Sequence, residues 1–375
     1  MLIFQLTTGL LWLFVVVRFL LPLRLAPGPT AVAALLLLLA SQHHFLIRRL
    51  RGAAFAAEMP RPLGMLLNAL FGTLLLLAVF QAALDLLTLA GFLLGGSLLA
   101  PPLGLRYLLG GAAVLLGMAG VWQATRVPGV KQVEIALPGL DPAFDGYRLL
   151  QLTDLHLSRM FPRSWAEGVV ARANAQQADL IVLTGDLVDG SLAVREQDVA
   201  PLAGLRARDG VFLAPGNHEY YFGYEGWLGR YQQLGLQPLP NRHVLLQRGA
   251  GTLVLAGVTD SAANRFQLPP PDLGQALAGA PEVPVVLLAH QPKVAEQAAQ
   301  AGVSLQLSGH THGGMVLGLH RLVARFNQGF VSGLYRVGGM QLYVSNGTAL
   351  WNGFALRLGV PPEMTVITLR SSQRP

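Results

Sequence analysis

The chain is written in two patterns of hydrophobic and polar positions, with long apolar runs first and short ones after. Residues 2–21, 31–47, 63–84 and 103–121 are apolar stretches interrupted by few polar side chains, and a helix needs about 20 such residues to cross a bilayer. Four transmembrane helices are therefore expected. The apolar sequence continues past Asp85 to residue 99, too far for the same crossing, which predicts an interfacial or re-entrant segment before the Pro101-Pro102 break. From about residue 126 the pattern changes to runs of four or five residues, at 149–153, 180–184, 211–214, 285–289 and 303–307, of the length of buried strands. A helical stretch at 194–208 lies between two of them, so the second half is expected to be α/β. Residues 244–258 are expected to form two strands joined by Arg248-Gly249-Ala250-Gly251, and 341–345 and 364–369 to add further strands, which makes the sheets mixed. The change of pattern puts a boundary at Val127-Pro128-Gly129, dividing a transmembrane region, 1–125, from a globular domain, 126–375.

Charge follows the same division. Nine basic residues up to Lys131 against two acidic ones, Glu58 and Asp85, already account for the formal charge of +7 of the whole chain. The globular half is then near neutral, and the basic balance is no footprint of nucleic acid. The Arg48-Arg49-Leu50-Arg51 cluster lies beside apolar runs, where basic residues set orientation. It points to the cytoplasm, and with four spans the globular domain lies there too, in a multi-pass protein of the cell membrane. Asp85, at the end of an adequate span, reaches the headgroups and is given no role; His43 and His44 read as interfacial. There is no cysteine, so any metal is held by nitrogen and oxygen.

Chemistry-bearing residues follow the short runs: Asp154-x-His156, Gly185-Asp186, Gly216-Asn217-His218-Glu219, His290 and Gly309-His310-Thr311-His312. Spacing of two along an extended backbone turns Asp154 and His156 to one face, where they can chelate one ion. Asp186 has two carboxylate oxygens and can bridge two cations; Asn217 offers a neutral carbonyl oxygen. Each segment alone has a plain structural explanation: a surface triplet, a turn, an Asx turn or a core histidine. Five of the nine histidines falling in these segments, in order after strands, makes coincidence a poor account of the set.

The ordered set resembles the signature of calcineurin-like metallophosphoesterases over roughly residues 130–370. The resemblance implies a four-layer αββα sandwich with a dinuclear centre at the strand ends. It implies one ion held by Asp154, His156, Asp186 and His312, and a second held by Asp186, Asn217, His290 and His310. Asp186-x-x-Asp189 also looks like the family's spacing, with Asp189 orienting His218, which is left free to protonate a leaving alkoxide or steady the phosphoryl group. The implied reaction is attack of metal-activated water on a phosphoester, with two divalent ions, Mn, Fe or Zn, Mn being favoured.

Within that family, residues 309–314, Gly333-Leu334-Tyr335, Leu342-Tyr343-Val344-Ser345 and Pro362-Glu363-Met364-Thr365 are similar to a bacterial branch with membrane-anchored members, some of which act on membrane lipids or lipid precursors. The chain departs from that branch with Met315 where Gln is common and Asn346 where Arg is common. Residues 315–330 mix apolar side chains with Arg321 and Arg325, which suits either a segment lying on the bilayer or a core and edge strand. Three functions follow: a phosphodiesterase or pyrophosphatase acting on a lipid or nucleotide-lipid, the same enzyme acting on a soluble phosphoester with the helices as anchor, and a membrane sensor or transport component that binds without turnover.

Overall fold

In the computed structural model, which describes residues 2–51, 58–96 and 100–372, chain contacts divide the protein into two units. One is Met1–Ala124 with Asn352–Leu358, the other Thr125–Trp351 with Gly359–Pro375.

The helical unit starts with α1 (Leu2–Val15), continued by a π-helical turn at Val16–Leu20 and a 3-10 turn to Leu23. It is followed by α2 (Pro27–Arg51), α3 (Arg61–Gly95) and α4 (Leu103–Thr125). Among the described residues three helices are long and apolar enough to cross a membrane: Ile3–Leu23, α3 and α4. The expected second span forms helix α2, whose side chains from residue 46 on lie outside the described residues. It packs antiparallel on α1, with the Trp12 indole N–H donating to Ala34 O at 2.8 Å and the Thr8 hydroxyl to Ser41 O at 3.0 Å. His43 and His44 are buried among the helices, with ring centroids 5.9 and 6.1 Å from Phe71.

The expected change after residue 84 does not occur. Helix α3 runs through Asp85 because that carboxylate is paired with Arg18 Nη2 at 2.8 Å and accepts from Gln81 Nε2 at 2.6 Å. It ends at Gly96, whose φ of 70° closes the helix. Residues 97–99 and the side chains of the 48–51 cluster lie outside the described residues. The segment Asn352–Leu358 packs within this unit: Asn68 Nδ2 donates to Asn352 O at 3.2 Å, the Arg357 N–H donates to Gly120 O at 3.0 Å, and Phe354 meets Phe71 edge to face at 5.7 Å.

Among the described residues the α/β unit contains twelve strands in two six-stranded sheets. Its first sheet takes β1 (Gly129–Pro138), β2 (Arg148–Leu152), β3 (Leu180–Thr184), β4 (Val211–Ala214) and β5 (Gln237–Pro238). The second takes β6 (Arg242–Arg248), β7 (Gly251–Gly257), β8 (Val285–Leu288), β9 (Leu305–Ser308), β10 (Gly333–Val337) and β11 (Met340–Val344). The last strand, β12 (Glu363–Ser372), returns to the first sheet between β1 and β2. β2, β3, β4 and β5 are parallel, as are β7, β8, β9 and β11, while β12 is antiparallel to β2 and the β6–β7 and β10–β11 pairs are antiparallel. The sheets are mixed, as expected.

Parallel neighbours need crossovers, which are helices here. They are α5 (Arg163–Asn174), α6 (Leu192–Val199), α7 (Asn217–Tyr221) and α8 (Tyr224–Gln233) on the first sheet's connections, then α9 (Leu273–Leu277) and α10 (Ala295–Gln300) on the second's. The helix expected over 194–208 is shorter, because Pro201 opens a 3-10 turn at Ala200–Gly204. A short helix α11 (His320–Phe326) follows β9.

Leu149, Leu180, Val182 and Phe212 of one sheet meet Leu255, Val286, Leu288 and Leu307 of the other in a single core. Val254, Ala256, Leu287 and Leu342, on the far face of the second sheet, pack with Ala276 of α9 and Ala295 and Ala298 of α10. Gln151, buried between the sheets, donates to Thr184 Oγ1 at 2.9 Å and Ser308 O at 3.1 Å, joining β2, β3 and β9. Leu255→Ala should remove about 2–5 kcal/mol of stability, read as a lower apparent melting temperature of the full chain; an unchanged value would show that Leu255 is not part of a close-packed inter-sheet core.

Candidate metal centre

The carboxyl-terminal ends of β2, β3, β4, β8 and β9 each release a loop that carries one of the polar segments. These loops are tied to one another through their backbones. Asp154 N–H donates to Gly185 O, His156 N–H to Asp186 O, and Gly309 N–H to His290 O, at 3.0, 3.0 and 2.9 Å.

Asp154 and His156 reach the centre differently from the extended geometry expected of them. β2 stops at Leu152, and both residues have left-handed backbones, φ 54° and 42°. Asp186, His310 and His312 share this conformation, at 55°, 69° and 50°. Left-handed backbone is costly for residues with a side chain, and its concentration at one place marks a site held by its surroundings. Crowding explains the glycines: a Cβ on Gly309 would collide with the Asp154 carboxylate and Thr153 Oγ1, and one on Gly216 with Asp186 Oδ1.

Among the described residues three groups of potential ligands result: Asp154, His156 and His312; Asp186, His290 and His310; and His156, Asp189 and His218. Asp186 Oδ2 lies among three imidazoles, 3.1 Å from His290 Nε2 and 3.8 Å from both His156 Nε2 and His218 Nε2. Asp154 Oδ1 is 3.6 Å from His312 Nε2 and 3.8 Å from His156 Nε2. Asn217 is buried at the start of α7, and its Oδ1 has no hydrogen-bond partner among the described residues, while Nε2 of His156 and of His290 face carboxylate oxygens. A buried polar atom without a partner is rare, and a carbonyl oxygen beside imidazole nitrogens and carboxylates suits a divalent cation of the Mn, Fe or Zn type.

The ring orientations are set from behind. His290 Nδ1 lies 2.7 Å from Thr184 O, which can only accept, so Nδ1 carries the proton and Nε2 faces the carboxylates. Asp189 Oδ1 accepts from Nδ1 of both His156, at 2.9 Å, and His218, at 2.6 Å. The Asp154 carboxylate accepts from the His310 N–H at 3.1 Å and the Thr153 hydroxyl at 2.8 Å.

The electrostatics are those of a crowded, dry site. Burial alone would raise the Asp186 carboxyl, but the imidazoles of His290, His218 and His156 hold it well below the usual range. Asp154 is held low against burial by His312, His156 and His290, and Asp189 by His156 and His218. Burial opposes charge on His290, yet Asp186 pushes it up to about 10, whereas burial and the neighbouring His290 bring His310 down to about 3. Cations between these groups would compete with protons for the same lone pairs.

A family model described as calcineurin-like phosphoesterase matches residues 147–314. An uncharacterised metallophosphoesterase of Bacillus subtilis is 31% identical over 238 residues, covering 61% of this chain and 81% of that protein. The chain belongs to the calcineurin-like metallophosphoesterases. This family holds two divalent metal ions. A bovine protein named "Transmembrane protein with metallophosphoesterase domain" is 36% identical over 271 residues, covering 69% of this chain and 61% of the bovine one, so the chain spans less than two thirds of that relative. Among solved structures, a calcineurin-like phosphoesterase of Bacillus subtilis covers 55% of this chain with 16% identity and a TM-score of 0.36.

Glu219, the last residue of the Gly216-Asn217-His218-Glu219 segment, has a structural role at the site. Its buried carboxylate accepts from the N–H groups of Asp186 (3.0 Å), Leu187 (2.8 Å) and Gly216 (2.7 Å) and from the Tyr231 hydroxyl (3.1 Å). It therefore binds the Asp186 loop to the Asn217 loop. The signal in the sequence was its position three residues after Gly216, where a Glu can accept from the N–H at the start of a helix. Asn346, by contrast, is spent on structure, with its Oδ1 accepting from the Ser332 hydroxyl at 2.6 Å. Glu219→Gln presents an amide to donors and should weaken Mn binding about 10–100-fold, measured by calorimetric titration; affinity equal to that of the parent would remove Glu219 from the support of the centre. Saturating Mn, at about 100 times its dissociation constant, should stabilise the parent by about 2.7 kcal/mol, seen as a melting temperature that rises with Mn and falls with chelator.

Proposed function

We propose that the chain is a membrane-anchored phosphoester hydrolase, a phosphodiesterase or pyrophosphatase, acting with two divalent ions on a lipid or nucleotide-lipid phosphoester. The observation that carries this reading is the convergence of three imidazoles on one buried oxygen of Asp186, with Asp154 and His312 beside it. Asp154, His156, Asp186 and His312 would hold one ion, and Asp186, Asn217, His290 and His310 the other. When bound, two such ions, Mn in our reading, supply Lewis acidity toward phosphoryl oxygens and lower the pKa of water.

His218 is left for proton transfer. Its Nδ1 is committed to Asp189 at 2.6 Å, so Nε2 is the atom that holds a proton for the departing oxygen. Asp189 positions His218 and His156 together, which couples leaving-group protonation to the geometry of the first ion site. His310 N–H and Thr153 hold the Asp154 carboxylate in place for its ion.

Membrane helices in the same chain support a substrate carried by the bilayer. The antiparallel packing of α2 on α1 supports a crossing by α2 as well. In the resulting four-span arrangement Arg48, Arg49, Arg51, Arg61, Arg126 and Lys131 fall on one side, and Arg18, Arg24 and Arg106 on the other. The positive-inside rule then makes the protein multi-pass with its catalytic unit in the cytoplasm.

Purified full-length protein should hydrolyse bis(p-nitrophenyl) phosphate when Mn is added. Asp186→Asn and His310→Ala should each lose about 100-fold or more in kcat/KM, and full activity in either would overturn the ligand assignment. Incubation of total lipid extracts with enzyme and Mn should deplete a phospholipid or nucleotide-lipid by mass spectrometry; turnover of soluble phosphoesters alone would leave the helices as an anchor. A single cysteine at Ala250, in this cysteine-free chain, should resist a membrane-impermeant maleimide in intact cells and react after lysis. Labelling of intact cells would invert the topology.

A further inference from the structure

Helix α11 has no buried residue. Leu322 and Phe326, one turn apart, are 52% and 68% exposed, and Leu317 just before the helix is 75% exposed. Arg321 and Arg325 form a parallel row beside the apolar one, since residues four apart share a helix face. An apolar row edged by arginines is the pattern of a helix lying in a membrane interface, apolar side chains down and guanidinium groups at headgroup level.

Two further observations say what covers this face. No Asp or Glu occurs between Glu296 and Glu363, while Arg321, Arg325 and Arg336 do, so the segment complements an anionic surface. The bilayer is already supplied by the chain's own helices.

The start of α11 is also fastened to the metal loop. A Cβ on Gly314, two residues after His312, would stand 2.6 Å from the His320 Cα, so the two backbones are in direct contact.

We propose that residues 316–326 are a bilayer-docking surface for anionic phospholipid, which lays the mouth of the metal centre against the headgroups. This rests on the reading of the helices as membrane-spanning and deepens the proposed lipid substrate. Docking itself does not require turnover.

The test uses the full-length protein in vesicles of phosphatidylcholine and phosphatidylglycerol, with an environment-sensitive fluorophore on single cysteines. Leu322→Cys and Phe326→Cys report the proposed face. Ala250→Cys, in the β6–β7 turn away from the strand ends that carry the site, is the reference. Nitroxide-labelled lipid should quench the first two labels about twofold or more over the reference. Arg321→Glu with Arg325→Glu should abolish the excess and its dependence on phosphatidylglycerol. Quenching no greater than at Ala250 would overturn the proposal. So would a blue shift without lipid quenching that grows with protein density, which would mean that a second copy of the chain covers the face. Hydrolysis of the soluble diester by the double-glutamate variant shows that it is folded. Failure of that activity in the parent would count against the phosphoesterase reading alone, because quenching is read without catalysis.

Discussion

The Asp186 carboxylate is buried where two sheets bring their strand ends together, and its charge must be balanced there by neighbours because water is excluded. Most of the site can be understood as that compensation. Three imidazoles point Nε2 toward Oδ2, while the His218 N–H donates to Oδ1 at 2.8 Å. An arrangement so rich in carboxylates and lone pairs has more charge to offer than its own protons neutralise well, which is what suits it to cations. The same crowding removes side chains from Gly216 and Gly309 and bends Asp154, His156, His310 and His312 into left-handed backbone.

Such backbone costs about 1–2 kcal/mol per residue, and the surroundings have to supply the difference. Glu219 is the clearest source, with one carboxylate receiving three backbone N–H groups and a hydroxyl. Burial and the nearby Asp186 charge both raise its carboxyl, and the N–H groups of Leu187 and Gly216 work against that rise. Behind these loops the inter-sheet core and the buried Gln151 hold β2, β3 and β9 in relation to one another. The precision of the centre is thus a property of two sheets, not of any loop.

The helical unit manages its polar groups in the same way. Asp85 is matched by Arg18 and Gln81, and Arg106 donates to Gln81 Oε1 at 2.9 Å. Asn68 closes a reciprocal pair with the 352–358 segment, donating to Asn352 O and accepting from the Ala355 N–H at 2.7 Å. A stretch of sequence that belongs by position to the second half is therefore part of the helical core, and removal of residues 1–125 would strip Phe354 and Leu356 of their partners.

By itself, the sequence determined what depends on short-range pattern. Short apolar runs became β2, β3, β4, β8 and β9, the turn at Arg248-Gly249-Ala250-Gly251 joined β6 to β7, and the polar segments after the strands named the chemistry. Long apolar runs determined that helices come first. Tertiary structure decided what depends on partners distant in sequence. Asp85 does not end α3 because Arg18 meets it from another helix, and His43 and His44 are buried because Phe71 covers them. Asp154 and His156 share a cluster through strained turns that periodicity cannot express. The role of Glu219 and the membership of 352–358 in the helical unit likewise exist only as contacts across many residues. Local pattern records what a residue prefers, and only packing decides which buried charge or ring its neighbours must satisfy.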